Sequence, residues 1–130
     1  MDQREFIKTG TLVLEQGGPG NNAYVVESGK MDVFTRDPDG NEIYLAELGP
    51  GALIGEMAVM LGGKCCANVR AREDSILVVI PGDELQKSAQ TSSSLRTYLI
   101  DLIAQRMQDT QVKLLKAAEK AAAAKRPEPA

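Results

Sequence analysis

Between residues 11 and 80 the chain alternates short apolar-rich runs with turn residues, at a spacing of roughly ten. TLVLE (11–15) gives way to GGPGNN, and AYVVES (23–28) runs into Gly29 and Lys30. MDVFTR (31–36) stops at Asp37-Pro38-Asp39-Gly40, and EIYLAEL (42–48) stops at Gly49-Pro50-Gly51. CANVRAR (66–72) ends at an acidic turn, and ILVVI (76–80) ends at Pro81-Gly82. Regular short strands separated by Gly, Pro, Asp and Asn predict an all-β sandwich or barrel. Ser28-Gly29-Lys30 suits a tight hairpin with Gly29 at positive φ. Asp37-Pro38-Asp39-Gly40 suits a type I turn, with Pro fixing φ at its second position.

After residue 81 the period changes from two to about three and a half. Residues 82–90 read as a short helix. A longer helix starts after TSSS (91–94), where Ser92 or Ser93 can cap the free amides. Its apolar stripe is Leu95, Leu99, Leu102, Ile103 and Met107, at the three-and-four spacing of one helix face. The stripe weakens after Met107, though Val112, Leu114 and Leu115 extend it irregularly. KAAEKAAAAKR (116–126) is helix-prone but offers no large apolar face. The pattern therefore divides the chain into a β domain over 1–92, a helix over 93–116, and an Ala/Lys-rich tail over 117–130 expected to be frayed or disordered. The stripe has two uses open to it: docking onto the barrel, or a seam between two copies of the chain.

Composition narrows the function. At 130 residues with 43% apolar content, the chain has material for one domain and a real core. With no Trp and only two Phe, that core is mostly aliphatic. A net charge of −3 argues against nucleic acid as the main partner, because phosphate neutralisation needs clustered Lys and Arg. MDQREFIK lacks the apolar core of a signal peptide. No run approaches the roughly 18 apolar residues of a membrane helix. The expected setting is cytoplasmic, with no membrane partner. Cys65 and Cys66 are adjacent, a poor geometry for a mutual disulfide, and are expected to stay reduced. The chain has no His, which removes Ser-His-Asp and Cys-His catalysis and His-ligated metal centres, cupin-type ones included. No nucleophile–base pair is visible, so the role is expected to be non-enzymatic, without a resident cofactor or metal.

One stretch looks built to hold something small and polar: GEMAVMLGGKCCANVRA, residues 55–71. Gly55 lets backbone approach a ligand closely. Residues 57–61 can form a helical turn whose free amides attract an anion. Glu56 offers a carboxylate that accepts two hydroxyl hydrogen bonds well, or else it is a surface carboxylate capping the short helix. A vicinal dithiol at Cys65 and Cys66 could sense oxidants or bind a soft metal. Alternatively, both cysteines are small residues filling a strand start.

The ordered series of motifs resembles the cyclic nucleotide-binding domain family over residues 6–107. It runs from Gly10-Thr11-Leu12-Val13 through EQGGPGNNAYVVESGK, MDVF and the Leu48-Gly49-Pro50-Gly51 turn. Gly55-Glu56-Met57-Ala58 then stands where the phosphate-binding cassette begins, and Ala67-Asn68-Val69-Arg70-Ala71 where it closes. The resemblance implies a double-stranded β-helix, or β-roll of jelly-roll type, with a short cassette helix and C-terminal helices. It implies cAMP, cGMP or another small phosphorylated metabolite as ligand. Glu56 would hold the ribose 2′-hydroxyl, and the amides of Gly55, Met57, Ala58, Cys66 and Ala67 would face the cyclic phosphate.

The sequence departs from the family at one position. Cyclic-nucleotide-responsive members carry Arg just before the small residue that opens the closing strand; here Cys65 stands there and Cys66 takes the small-residue place. An Arg–phosphate pair is charge-assisted, worth about 1.5–3 kcal/mol per bond, so its loss costs about 10- to 150-fold in affinity. Lys64, adjacent in the loop, can supply a point charge without the fork. Alternation puts Arg70 on the face opposite Val69 and Ala71, away from a pocket that Val69 faces. The chain stops after an Ala/Lys tail, so no DNA-reading, kinase, channel or exchange-factor output is expected within it. Two functions follow: a sensor domain with weakened or altered ligand binding, signalling through its C-terminal helix to a separate protein effector or a homodimer partner, or a degenerate relative that binds no nucleotide and works as an interaction module.

Overall fold

A computed structural model describes residues 3–124. Eight strands form two antiparallel four-stranded sheets. The first sheet orders β1 (Gln3–Ile7), β8 (Ser75–Pro81), β3 (Asn22–Ser28) and β6 (Leu53–Ile54). The second orders β2 (Leu12–Leu14), β7 (Asn68–Ala71), β4 (Met31–Arg36) and β5 (Glu42–Leu48). Consecutive strands mostly lie in opposite sheets or cross between them, the topology of the expected double-stranded β-helix. The Asp37–Gly40 turn closes a true hairpin of β4 and β5, but the expected hairpin at Ser28-Gly29-Lys30 does not form, because β3 and β4 belong to different sheets and the positive-φ glycine turns the chain from one sheet to the other. Gly29 has φ 96° between β3 and β4, and the Gly40 amide donates to the Asp37 carbonyl at 3.0 Å.

Two strands were invisible to the period-two pattern. In β1 only Ile7 is even partly buried, so the strand has no apolar alternation. Its register comes from β8, with Gln3 opposite Val79 and Ile7 opposite Ser75. β6 is two residues long, too short to alternate, and both Leu53 and Ile54 are buried.

Inward-facing residues of the sheets pack as one cluster of Val26, Met31, Ile54, Val69, Ala71 and Leu77. A second cluster joins Ala23 and Leu53 to Val59, Leu85, Ala89 and Leu99. It glues three helices to the open end of the roll: α1 (Glu56–Leu61), α2 (Gly82–Thr91) and α3 (Ser93–Ala124). The Leu95 amide donates to Ser92 Oγ at 3.2 Å, which makes Ser92 the cap anticipated for α3. α3 does not end at residue 116. It continues to Ala124, because Ala, Lys and Glu carry enough intrinsic helix propensity to extend an already nucleated helix. The expected frayed tail is therefore helical over 117–124, and its remainder, 125–130, lies outside the described residues.

Candidate functional site

The cassette begins with a strained-looking turn that only glycine accepts. Gly55 has φ 81° and ψ 0°, and a Cβ there would sit 2.9 Å from the Asn22 carbonyl oxygen. This conformation swings the chain from β6 into α1 and buries the next residue, Glu56, to 1% exposure. So deeply buried, Glu56 is not the surface carboxylate of the alternative reading; its carboxylate accepts from Arg106 instead. At its other end α1 is stopped by Gly62 in the left-handed region, so the Gly62-Gly63 pair serves to end a helix.

The following loop is stitched to residues 16–20. The Cys65 amide donates to the Gly18 carbonyl at 2.9 Å, and the Gly17 amide donates to the Cys65 carbonyl at 2.8 Å. Asn68, buried at the start of β7, accepts the Gln16 amide at 2.8 Å. This stitching turns Cys65 inward, to 7% exposure, with Sγ 3.7 Å from the Pro19 carbonyl oxygen. Burial pushes the Cys65 thiol up from its ordinary value, with the neighbouring Cys66 adding to the effect. Cys66 is exposed.

A cavity of about 290 Å³ opens between the cassette, the second sheet and α3. Leu14, Val33, Ile54 and Val69 form its floor, with Leu45, Ala46 and Leu48 along one wall. Gly55, Glu56, Met57, Ala58, Cys65, Cys66 and Ala67 line the cassette side. Lys64 does not line it. It is exposed, and its backbone bridges to Pro19 on the outside of the stitched loop. The geometry thus leaves Lys64 a poor substitute for the missing Arg. Arg70 also points away: its two guanidinium nitrogens donate to the Glu42 carboxylate at 3.0 and 3.1 Å, and the group stacks 4.3 Å over the Phe34 ring. Val69 faces the cavity, so the alternation argument holds.

The fourth side is α3, which the sequence reading did not place at the site. Arg106, Asp109, Thr110, Lys113 and Leu114 line the cavity from above. Arg106 Nη1 donates to Glu56 Oε1, and the two form an ion pair in which the Arg106 side chain is 24% exposed and that of Glu56 is 2% exposed. A carboxylate so deeply buried requires a cation, and the cassette itself supplies none. The signal was present in the stripe. Leu99, Ile103, Arg106, Thr110 and Lys113 repeat at spacings of four and three. The inward face does not stop after Met107; it changes from apolar to polar where α3 crosses the cavity. Met107 belongs to the other face and is 45% exposed.

The family model of the cyclic nucleotide-binding domain matches residues 4–92. The chain belongs to the cyclic nucleotide-binding domain family. It is 31% identical over 112 residues to the cyclic AMP receptor protein of Thermus thermophilus, covering 86% of this chain and 52% of that one. The cAMP-dependent protein kinase regulatory subunit of Blastocladiella emersonii is 34% identical over 71 residues, covering 55% of this chain and 18% of that one. Among solved structures, the Thermus thermophilus catabolite activator protein superposes with a TM-score of 0.78 at 30% identity, covering 90% of this chain and 55% of that chain. A cAMP-bound EAL enzyme superposes with a TM-score of 0.71 at 25% identity, over 92% of this chain and 32% of that chain. The chain thus spans about half the length, or less, of these relatives. As a cyclic nucleotide-binding domain it is of the regulatory type, in a family whose members are also fused to enzymes. Among the described residues no helix is long and apolar enough to cross a membrane.

Proposed function

We propose that this domain senses a cyclic nucleotide with a grip that lies partly on α3 and is weaker than a cassette Arg would give. The observation that carries this reading is the buried Glu56–Arg106 pair, which ties the cassette to the long helix across the ligand cavity. A ribose bound at the cassette offers its one free hydroxyl, the 2′-hydroxyl, as a donor to Glu56, the role implied by the family. That bond competes with Arg106. The guanidinium is then freed to turn toward the phosphate, the only strong anion in the ligand. Since Arg106 is part of α3, this exchange of partners moves or re-tensions the helix, and the change passes to an effector protein. Binding weaker by about 10- to 150-fold than with a cassette Arg is the expected consequence of Cys65.

α3 also carries a second face suited to self-association. Ile100, Ala104, Met107 and Gln111 are all exposed and repeat at four and three, the spacing of a two-helix seam. This favours a homodimer in which two α3 helices pair and the ion pairs sit just behind the seam.

The second reading, an interaction module that binds no nucleotide, draws on the same pair: Glu56 is already satisfied, and the cavity wall around it is mainly aliphatic. An amide-NMR titration with cAMP and cGMP, read at Gly55, Glu56 and Cys66, separates the two. The Cys65→Arg variant runs beside it. Saturating shifts in the natural chain, strengthened at least tenfold in the variant, are expected. Silence of both proteins at millimolar nucleotide sinks the sensor reading.

A further inference from the structure

We infer that Gln16 and Asn68 form a clasp that positions the closing backbone of the cassette, although neither side chain lines the cavity. The inference rests on the sensor reading above and names the residues that keep its site in shape. With Cys65 where a cassette Arg would stand, the amides of Cys66 and Ala67 carry that end of the site together with Arg106. Both residues line the cavity, and among the described residues no loop or turn hydrogen bond engages either amide. Such donors serve an anion well only when they are fixed before it arrives, because a ligand that must order its own site binds more weakly.

The fixing comes from the connection between β2 and β3. Buried Asn68 meets Gln16 in both directions: its Oδ1 accepts the Gln16 backbone amide at 2.8 Å, and its Nδ2 donates to Gln16 Oε1 at 3.3 Å. The same Gln16 oxygen accepts the Arg36 backbone amide at 3.0 Å, which anchors the clasp on β4. Three residues before Asn68, the amide and carbonyl of Cys65 are bonded to Gly18 and Gly17. Cys66 and Ala67 are the two residues between these fastenings, so the fastenings set how far they can move. The same connection also bears on α1, since a Cβ at Gly20 would lie 2.1 Å from Ala58 Cβ. Residues 16–20 therefore touch both halves of the cassette, its helix and its closing loop. If the Gln16 end opens, a ligand has to fix at least one backbone residue that the clasp had already fixed, which lowers affinity about 5- to 30-fold.

Gln16 is exposed, so it can be changed without opening the core. Gln16→Leu removes the shared acceptor oxygen, whereas Gln16→Glu keeps an acceptor in its place. Isothermal titration calorimetry of the full chain with cAMP and cGMP compares both variants with the natural protein. Alkylation of Cys65 by iodoacetamide, in a Cys66→Ser background, reads the clasp with no ligand present, because Cys65 is buried while the loop stays fastened. Gln16→Leu should weaken both nucleotides about 5- to 30-fold and speed Cys65 alkylation, and Gln16→Glu should restore both readings. A merely structural role would lower the melting temperature and leave the affinity of the folded protein unchanged. If Gln16→Leu binds as tightly as the natural chain, if Gln16→Glu binds as weakly as Gln16→Leu, or if Cys65 alkylation does not change, the positioning role is overturned and the sensor reading stands. If neither nucleotide binds the natural chain at millimolar concentration, the sensor reading falls and the positioning role with it, whatever Cys65 shows.

Discussion

At Glu56 a single buried carboxylate governs the chemistry of the site. Its 2%-exposed side chain has one charged partner, Arg106, fifty residues later in the chain. Taking two charges out of water is expensive, and the attraction between them offsets much of that only while both are present. Removing one partner is therefore worse than removing both. Arg106→Met should lower unfolding free energy by about 3 kcal/mol, toward the low end for a buried pair because Arg106 keeps some contact with water. Adding Glu56→Gln to that variant should recover at least half of the loss. Chemical denaturation of the two single variants and the double variant measures this, and additive losses would mean that the pair contributes no coupling. Cys65 shows the same logic from the other side. Where a ligand-gripping cation was to be expected, the stitched loop holds a small, protonation-favouring thiol against Pro19, and the charge is delivered from elsewhere.

At the scale of elements, α3 is a helix with three jobs on its circumference. Leu99 anchors it in the core shared with α1 and α2, and Ile103, one turn on, is buried too. Arg106, Thr110 and Lys113 continue the same face over the cavity. Ile100 and Met107 lie on the exposed side. If that side pairs two copies, Ile100→Glu with Met107→Glu should halve the sedimenting mass without loss of circular dichroism, since neither side chain is in the core. A natural chain that already sediments as a monomer at tens of micromolar would contradict the seam. Much of the roll was legible from the sequence because β3, β4, β5 and β8 are apolar-rich runs bounded by sharp turns. β1 and β6 were not, since one is almost wholly exposed and the other is two residues long. The cassette was legible because Gly55 and Glu56 are local to it. The helix side of the site was not, because its contact with Glu56 is set by how α3 crosses the roll, and sequence spacing alone reads that polar stretch as the end of a stripe.

For the whole molecule, the two core clusters divide the labour. One fills the roll and makes a rigid floor for the cavity; the other fastens the helices to its open end. The cavity lies where these two bodies meet, and the only ion pair among the described residues that crosses it joins Glu56 to Arg106. Ligand chemistry at the floor can therefore reach the helix through one exchange of partners. Hydrogen–deuterium exchange with and without saturating cyclic nucleotide is the most direct test of that coupling. The account predicts altered protection in α3 around Leu102 to Thr110 together with the cassette, and loss of the α3 change in Arg106→Met. Protection that changes only at the cassette, with α3 unaltered at saturation, would contradict it.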